Sequence, residues 1–206
     1  MTSPLTIALD CDGVLFDFVR AFQQTYDEGM PHDLKLGPYW QPDQWDISKS
    51  HPLRGAGLTS EWSLQRTYAC STLAWRVRPY PHATELLTRL HALGVRIVFA
   101  TAPRRTNPEW CYHREHACAA LCRAAGIPEA PVVFTRDKTL VTANLLIDDC
   151  AANVREFEAT GRNAWLFDQP YNRDQTVRRR VSAQDLIDAV QKAVDLWPYS
   201  VHTDLL

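Results

Sequence analysis

Short apolar runs recur along the chain, and polar or acidic residues follow each of them. The runs are residues 5–9 (LTIAL), 95–100 (VRIVFA), 131–134 (PVVF), 144–147 (NLLI) and, more weakly, 163–167 (NAWLF). Runs of this length that are rich in β-branched residues and separated by long segments are typical of parallel strands joined by crossovers. The pattern therefore predicts a parallel sheet of five strands.

Amphipathic segments separate these runs and predict four helices. The helices span about 82–93, 109–125, 151–160 and 182–195. Gly94, Gly126 and Gly161 stand where three of them would end, and glycine is common just beyond the end of a helix. Helices that alternate with parallel strands indicate a doubly wound α/β sandwich.

Residues 18–80 interrupt this alternation and contain no convincing parallel strand. The segment holds four of the seven tryptophans and four of the seven tyrosines, namely Trp40, Trp45, Trp62, Trp75, Tyr26, Tyr39, Tyr68 and Tyr80. An aromatic, mostly helical insertion after the first strand would lie over the carboxyl edge of the sheet, where open α/β sheets bind ligands. We expect 18–80 to form a small helical cap, and 1–17 with 81–206 to form the core.

The bulk composition is globular, since 46% of the 206 residues are hydrophobic and 22% are charged. This length predicts one domain, or one domain with an inserted module. The formal net charge of −2 gives no general attraction to nucleic acid or to an anionic membrane, so a small-molecule partner is favoured. The basic run at 178–180 precedes a predicted helix and is interpreted as a solvated loop flank.

The chain starts without a basic leader, and no uninterrupted apolar stretch approaches the roughly 20 residues that cross a bilayer. We therefore expect a soluble, cytoplasmic protein whose six cysteines are reduced thiols. The segment 111–122 combines cysteines and histidines at helical spacing. It matches no usual zinc pattern, so its cysteines are expected to pack as small apolar residues.

Four polar motifs stand at or just beyond the ends of the predicted strands. They are Asp10-Cys11-Asp12-Gly13, Thr101, Lys138 and Asp148-Asp149. Singly, each has an ordinary interpretation as a turn, a helix cap or a surface lysine. Because the carboxyl ends of parallel strands meet at one edge of a sheet, their order along the chain predicts that they converge in one site.

Three carboxylates at one edge would repel one another without a cation among them. Neither His nor Cys recurs at these strand ends, so a hard ion with oxygen ligands is favoured over zinc, and Mg²⁺ fits best. Lys138 and the Thr101 hydroxyl would supply the positive charge and the hydrogen-bond donor that a phosphoryl group needs. The motifs therefore predict a site for Mg²⁺ and a phosphate.

The two carboxylates of the first motif suit different roles. Asp10 can attack phosphorus to give an aspartyl-phosphate, which divides one difficult displacement into two easier ones. Asp12 can protonate the leaving oxygen and later deprotonate the hydrolytic water. Gly13 would allow the tight backbone turn that follows.

The stretches ALDCDGVLFDF, TRDKTLV and LLIDD resemble the 5'(3')-deoxyribonucleotidase family of the haloacid-dehalogenase superfamily. The resemblance covers most of the chain. It implies a Rossmann-like core with a small helical cap inserted after the first motif. It also implies Mg²⁺ dependence and the hydrolysis of nucleoside monophosphates, typically deoxyribonucleotides.

The resemblance also implies residue roles. Asp10 would be nucleophile and metal ligand, Asp12 acid/base and ligand through its backbone carbonyl, and Asp148 the third ligand with Asp149 in support. Thr101 and Lys138 would bind phosphate, Arg136 would lie beside Lys138, and Phe18 would lie against the base. Ala102 and Pro103 replace residues that are polar in several relatives, so contacts to phosphate or sugar would differ there. Tyr39, Trp40, Trp45, Tyr68 and Trp75 form a pool of base-stacking candidates.

Other interpretations stay open at this point. A response-regulator receiver carries its phosphorylated aspartate on a middle strand and has no large insertion after the first strand. A phosphatase of another small phosphomonoester fits the same motifs. A nucleotide-binding regulatory protein would not need the acid/base pair of Asp10 and Asp12. The sequence leaves the oligomeric state open, with a homodimer as one option.

Overall fold

Six parallel strands form one sheet in the computed structural model. The strands are β1 (Thr6–Asp10), β2 (Arg96–Thr101), β3 (Val132–Phe134), β4 (Leu145–Asp148), β5 (Asn163–Phe167) and β6 (Arg180–Val181). Their order across the sheet is β3-β2-β1-β4-β5-β6. The structure describes residues 4–53, 58–104, 106–107 and 109–197, without the side chains of 58–61.

Seven α-helices accompany the sheet in the described ranges. They are α1 (Phe18–Glu28), α2 (Leu58–Ala69), α3 (Ser71–Arg76), α4 (Pro81–Ala92), α5 (Trp110–Ala124), α6 (Ala151–Glu158) and α7 (Leu186–Leu196). None of these helices is long and apolar enough to span a membrane. The fold is the predicted doubly wound α/β arrangement.

The alternation of side chains along each strand fills a separate hydrophobic core on each face of the sheet. Ile7 and Leu9 of β1 belong to the larger core, which also contains buried residues of α4, α5 and α7. Ala8, between them, belongs to the smaller core with Val154 and Phe157 of α6. Strands that are buried on both faces have continuous apolar sequences, and for this reason the apolar runs predicted their positions.

The strand order places a crevice beside β1. β1 pairs with β2 on one side and with β4 on the other, so chain connections leave in opposite directions from this point. Ligands of open α/β sheets bind at the carboxyl ends of strands that flank such a reversal. Asp10 ends β1 and Asp148 ends β4, so two of the predicted acidic residues lie at the crevice.

The described residues between β1 and α4 form helices and short turns, and none of them forms a strand. Asp17 starts α1 by accepting a hydrogen bond from the Arg20 amide at 3.0 Å. Helix α1 packs against α2 and α3, and the Phe22 ring lies 5.3 Å from the Tyr68 ring. The insertion is therefore helical and aromatic, as predicted, while its action as a cap stays a prediction.

The five predicted strands and four predicted helices are confirmed, with shifted ends. α7 begins at Leu186, four residues later than predicted, and β6 was not predicted. The interpretation of the basic run as a solvated flank is wrong for Arg180. This residue begins β6 and donates hydrogen bonds to Asp168 at 3.0 Å and to Asn172 at 2.7 Å, which holds the edge strand in place.

Candidate active site

Three aspartates converge at the carboxyl ends of β1 and β4. One carboxylate oxygen from each of Asp10, Asp148 and Asp149 lies within 4.8 Å of the others, and all three residues are buried. Buried carboxylates at this separation need a positive partner. Their oxygen-only donor set suits a hard divalent cation.

Lys138 supplies one positive charge to this cluster. Its Nζ lies 2.7 Å from Asp10 Oδ1 and donates a second hydrogen bond to the Ala100 carbonyl at 2.7 Å. Lys138 begins a short 3₁₀ turn that Asp137 caps by accepting a hydrogen bond from the Thr139 amide at 2.9 Å. This local turn places the buried ammonium group against the end of β1.

The pKa values in the cluster reflect burial and mutual repulsion. Burial raises the pKa of Asp10 to about 7, Lys138 opposes that rise, and Asp148 adds to it. Burial together with the Asp10 and Asp148 carboxylates raises the pKa of Asp149 well above its ordinary value. Burial alone would lower the pKa of Lys138, but Asp10 and Asp148 raise it. A divalent cation would stabilise the ionised carboxylates.

Hydrogen bonds hold Asp148 in place. Its Oδ1 accepts from the Cys150 amide at 2.8 Å, and its Oδ2 accepts from Asn153 Nδ2 at 2.9 Å. Both donors belong to the start of α6. These bonds fix the carboxylate orientation and leave its remaining lone pairs for a cation.

Hydrogen bonds from the turn that follows β5 hold Asp149 in place. The Tyr171 hydroxyl donates to Asp149 Oδ2 at 2.5 Å, and Asn172 Nδ2 donates to the Asp149 carbonyl at 2.8 Å. From the sequence, only a supporting role was predicted for Asp149. In the structure its carboxylate belongs to the acidic cluster.

Gly13 allows the first motif to approach Asp149 closely. Its φ of +82° lies in the left-handed region, which favours glycine. A Cβ at this position would overlap the Asp149 carboxylate and lie 2.6 Å from the Tyr171 hydroxyl. The glycine is therefore required by both its backbone conformation and the lack of space.

Asp12 lies apart from the three-carboxylate cluster. Its carboxylate forms an ion pair with Arg114 of α5, a residue that no sequence pattern predicted. Asp12 also lines the central cavity, and its side chain is partly exposed.

A cavity of about 500 Å³ lies above the cluster. Nine of the predicted site residues line it: Asp10, Asp12, Gly13, Phe18, Thr101, Ala102, Arg136, Lys138 and Asp149. Thr101 Oγ1 is buried and has no hydrogen-bond partner among the described residues, so it is available to a ligand. The predicted site residues therefore face one common space, except Asp148, which lies fully buried beneath it.

Residues of the helical insertion form the opposite wall of the cavity. Trp45 and Tyr68 of the predicted aromatic pool line it, together with Asp46, Ile47 and Gln65. The other members of the pool, Tyr39, Trp40 and Trp75, are not among the lining residues. Both the core and the insertion therefore line the pocket.

Phe18 is only 7% exposed, although it lines the cavity. The guanidinium carbon of Arg104 lies 4.3 Å from the Phe18 ring centroid and 4.9 Å from that of Tyr68. Arg104 was not predicted, because the Arg-Arg pair that follows Thr101-Ala102-Pro103 in the sequence matches no recognisable pattern. It presents a planar cation inside the cavity.

Comparisons with known proteins cover most of the chain. A family model described as "5' nucleotidase, deoxy (Pyrimidine), cytosolic type C protein" matches residues 4–195. A Bordetella bronchiseptica protein, provisionally named a 5'(3')-deoxyribonucleotidase, is 30% identical over 182 residues, which cover 86% of this chain and 90% of that protein. The human mitochondrial 5'(3')-deoxyribonucleotidase is 25% identical over 150 residues, which cover 70% of this chain and 62% of the human protein.

One solved structure illustrates the likeness of the fold. A HAD family hydrolase of Deinococcus radiodurans R1, with bound phosphate and sodium, matches with a TM-score of 0.50 at 15% identity. The match covers 95% of this chain and 98% of the hydrolase. At this identity the likeness concerns the fold alone.

Proposed function

The chain belongs to the 5'(3')-deoxyribonucleotidase family, and from that membership we propose a Mg²⁺-dependent nucleotidase that acts on deoxynucleoside monophosphates. Membership makes the protein a phosphohydrolase of the 5'-nucleotidase type, and its fold is that of the haloacid-dehalogenase hydrolases. The proposed products are a nucleoside and inorganic phosphate. The "cytosolic type" in the family description supports the expected cytoplasmic location.

The observation that carries the proposal is the contact of a buried lysine with a buried acidic cluster at the edge of the sheet. Lys138 lies 2.7 Å from Asp10, and Asp148 and Asp149 complete the set of carboxylates. Mg²⁺ would be held by the carboxylates of Asp10 and Asp148 and by the backbone carbonyl of Asp12. Asp149 would either bind the ion directly or support the residues that bind it. When bound, Mg²⁺ neutralises charge on the carboxylates and on the substrate phosphate.

Asp10 is the proposed nucleophile. One of its carboxylate oxygens attacks phosphorus, the bond from phosphorus to the nucleoside oxygen breaks, and an aspartyl-phosphate forms. Lys138 holds Asp10 Oδ1 in a hydrogen bond at 2.7 Å, which orients the carboxylate. Water then attacks phosphorus in the second step and releases phosphate from Asp10.

Asp12 is the proposed acid and base. It gives a proton to the leaving nucleoside oxygen in the first step and removes a proton from the attacking water in the second. Its side chain lines the cavity but stays outside the acidic cluster, which keeps proton transfer separate from the nucleophile. Such general catalysis contributes about 10²–10⁴-fold.

Phosphate recognition is assigned to the donors around the cluster. The unpartnered Thr101 Oγ1, the Lys138 ammonium group and the exposed Arg136 all line the cavity. Charge-assisted hydrogen bonds from such groups are the strong interactions for a phosphoryl oxygen. Ala102 offers only its backbone at the neighbouring position.

The helical insertion, residues 18–80, is the proposed cap over the substrate. Trp45, Tyr68 and Phe18 supply aromatic surface at the cavity, which suits a planar base. Phe18 has little free surface, so its proposed contact with the base is at the edge of the ring. The size of the cavity, about 500 Å³, supports a substrate larger than phosphate alone.

A phosphate-release screen tests the proposal. The substrates are the common deoxyribonucleoside and ribonucleoside 5'- and 3'-monophosphates together with sugar phosphates, each with Mg²⁺ and with excess chelator. We expect the highest kcat/KM for deoxynucleotides, no release with chelator, and no release by the Asp10→Asn variant. Activity confined to sugar phosphates would overturn the nucleotide assignment, and full activity of Asp10→Asn would overturn the mechanism.

A further inference from the structure

Arg114 is a fully buried arginine that points at the proposed acid/base. Its guanidinium forms an ion pair with Asp12 through Nη2 and Oδ1. Arg114 Nε and Nη1 are buried and have no hydrogen-bond partner among the described residues. Asp12 is the one ion-pair partner of Arg114 within that part of the chain. The carboxylate is thus the main compensation for a buried cation.

Two aromatic rings fix the position of the guanidinium. Its central carbon lies 4.7 Å from the Phe16 ring centroid and 4.9 Å from that of Trp110. Arg114 itself lies on α5, which packs against α3 and α4. Since the rings and the helix belong to the packed interior, the guanidinium has little freedom to follow a moving carboxylate.

The two side chains of the ion pair differ in their exposure to solvent. The side chain of Arg114 is 2% exposed, whereas that of Asp12 is 21% exposed and lines the substrate cavity. A purely structural pair gains nothing from placing its carboxylate at a ligand cavity. An orienting pair needs this arrangement, because the carboxylate must reach the substrate while the cation stays out of water.

We propose that Arg114 is a positioning residue that fixes the Asp12 carboxylate for proton transfer. This inference rests on the proposed function, in which Asp12 is the acid and base. Before the attack, Asp12 carries a proton on the oxygen that Arg114 does not bind. As the phosphorus–oxygen bond breaks, this proton passes to the nucleoside oxygen and leaves the ionised carboxylate that pairs with Arg114 in the structure. The Arg114 guanidinium is already in place to pair with that negative charge. A preorganised cation of this kind stabilises the transition state.

Substrates with different leaving groups separate this role from a structural one. A deoxynucleoside is a poor leaving group that needs the proton, whereas 4-nitrophenolate leaves without one. Because kcat/KM includes the first phosphoryl transfer, it reports the leaving-group step. For Arg114→Met we expect kcat/KM to fall by about 10²-fold with a deoxynucleotide, the lower end for general acid catalysis. With 4-nitrophenyl phosphate we expect a much smaller loss.

A double-mutant cycle with Asp12→Asn tests whether Arg114 acts through Asp12. We expect Asp12→Asn alone to lower nucleotide turnover, and the addition of Arg114→Met to lower it no further. The cycle needs only the nucleotide, so it decides the matter even if the protein does not accept 4-nitrophenyl phosphate. Arg179→Met is the matched control, since that guanidinium also covers a ring, 4.1 Å from the Trp165 centroid, but does not line the cavity.

The outcomes separate the inference from the proposed function. Equal losses on both substrates, or multiplicative losses in the cycle, would overturn the positioning role and leave the nucleotidase intact. Unchanged turnover by Asp12→Asn would instead overturn the proposed role of Asp12. If Arg114→Met does not fold, Arg114→Lys replaces it, because lysine keeps the charge but not the planar fork. We then expect a smaller loss that is still confined to the nucleotide.

Discussion

Lys138 and Asp10 form a buried ion pair, with 2.7 Å between Nζ and Oδ1, although 128 residues separate them along the chain. The parallel sheet accounts for the contact. Asp10 ends β1, and Lys138 lies in the turn that follows β3. The Lys138 ammonium group also donates a hydrogen bond to the carbonyl of Ala100, near the end of β2. Three neighbouring strands therefore build one charged contact.

Replacement of this lysine is expected to remove most of the activity. Lys138→Met takes away the cation beside the nucleophile, and the loss of one preorganised donor in an active site costs about 10²–10³-fold in kcat. Phosphate release from a deoxynucleotide at saturating Mg²⁺ measures the effect. Lys192→Met, at an exposed position on α7, is the control and should keep full activity. A loss below about 10-fold would contradict the role of Lys138.

Substitution of Gly13 is expected to damage both folding and the site. In Gly13→Ala, the alanine must adopt a φ of +82°, and its Cβ would overlap the Asp149 carboxylate. Gly126→Ala is the matched control, because φ is +67° there and nothing lies within 4 Å of the added Cβ.

The control should lose about 1–2 kcal/mol of unfolding free energy from the backbone conformation alone. Gly13→Ala should lose about 1–3 kcal/mol more from overpacking. Denaturant unfolding measures both values. Equal losses in the two variants would show that the space beside Asp149 is not restrictive.

Removal of the Tyr171 hydroxyl is expected to weaken metal binding rather than chemistry. Tyr171→Phe deletes the hydrogen bond that orients Asp149 Oδ2. Loss of a partner of this kind typically costs 10–100-fold in metal affinity, so the Mg²⁺ concentration for half-maximal activity should rise by about that factor. Tyr112→Phe, at an exposed tyrosine, should leave the Mg²⁺ response unchanged. An unchanged response in Tyr171→Phe would show that this hydrogen bond does not support the metal site.

His82 is expected to make stability depend on pH. Burial lowers the pKa of His82, although its hydrogen-bond contact of 2.9 Å with the Val14 carbonyl opposes this. Its ring lies 5.4 Å from each of the Tyr80 and Phe167 rings. Because the folded protein binds this proton less readily than the unfolded chain, stability is full above the unfolded pKa of about 6.5 and falls as the pH drops through the folded pKa.

His82→Gln should therefore lose less unfolding free energy than the parent protein between about pH 8 and pH 5. Denaturant unfolding at both pH values tests this. His91→Gln, on the exposed side of the same helix, should behave as the parent protein does. A His82→Gln variant with the parent's pH dependence would contradict the prediction.

The sequence predicted those features that depend on local pattern and on the geometry of a parallel sheet. Buried strands gave continuous apolar runs, and residues at their carboxyl ends had to meet at one edge. Cys11 continues the alternation of Ile7 and Leu9 into the larger core, where its Sγ lies 3.8 Å from that of buried Cys118. β6 was missed because a strand of two residues forms no pattern, and its position depends on the contacts of Arg180 with Asp168 and Asn172.

The missed site residues have the same physical explanation. Arg114 and Tyr171 act through contacts with aspartates that are distant along the chain and come close only on folding. Arg114 lies on a helix whose sequence reads as an ordinary amphipathic segment, and 102 residues separate it from Asp12. Nothing in the local sequence marks which arginine of a helix will be buried against a given carboxylate.

The proposed reaction passes through an aspartyl-phosphate on Asp10, and this intermediate can be trapped. The protein is mixed with a deoxynucleotide that carries a radiolabelled phosphate in the presence of Mg²⁺, quenched in acid within the first turnover, and digested to peptides. We predict label on the peptide that contains Asp10, its release by hydroxylamine, and no label in Asp10→Asn. Rapid turnover by the parent protein without any label, or label on another residue, would contradict the claim.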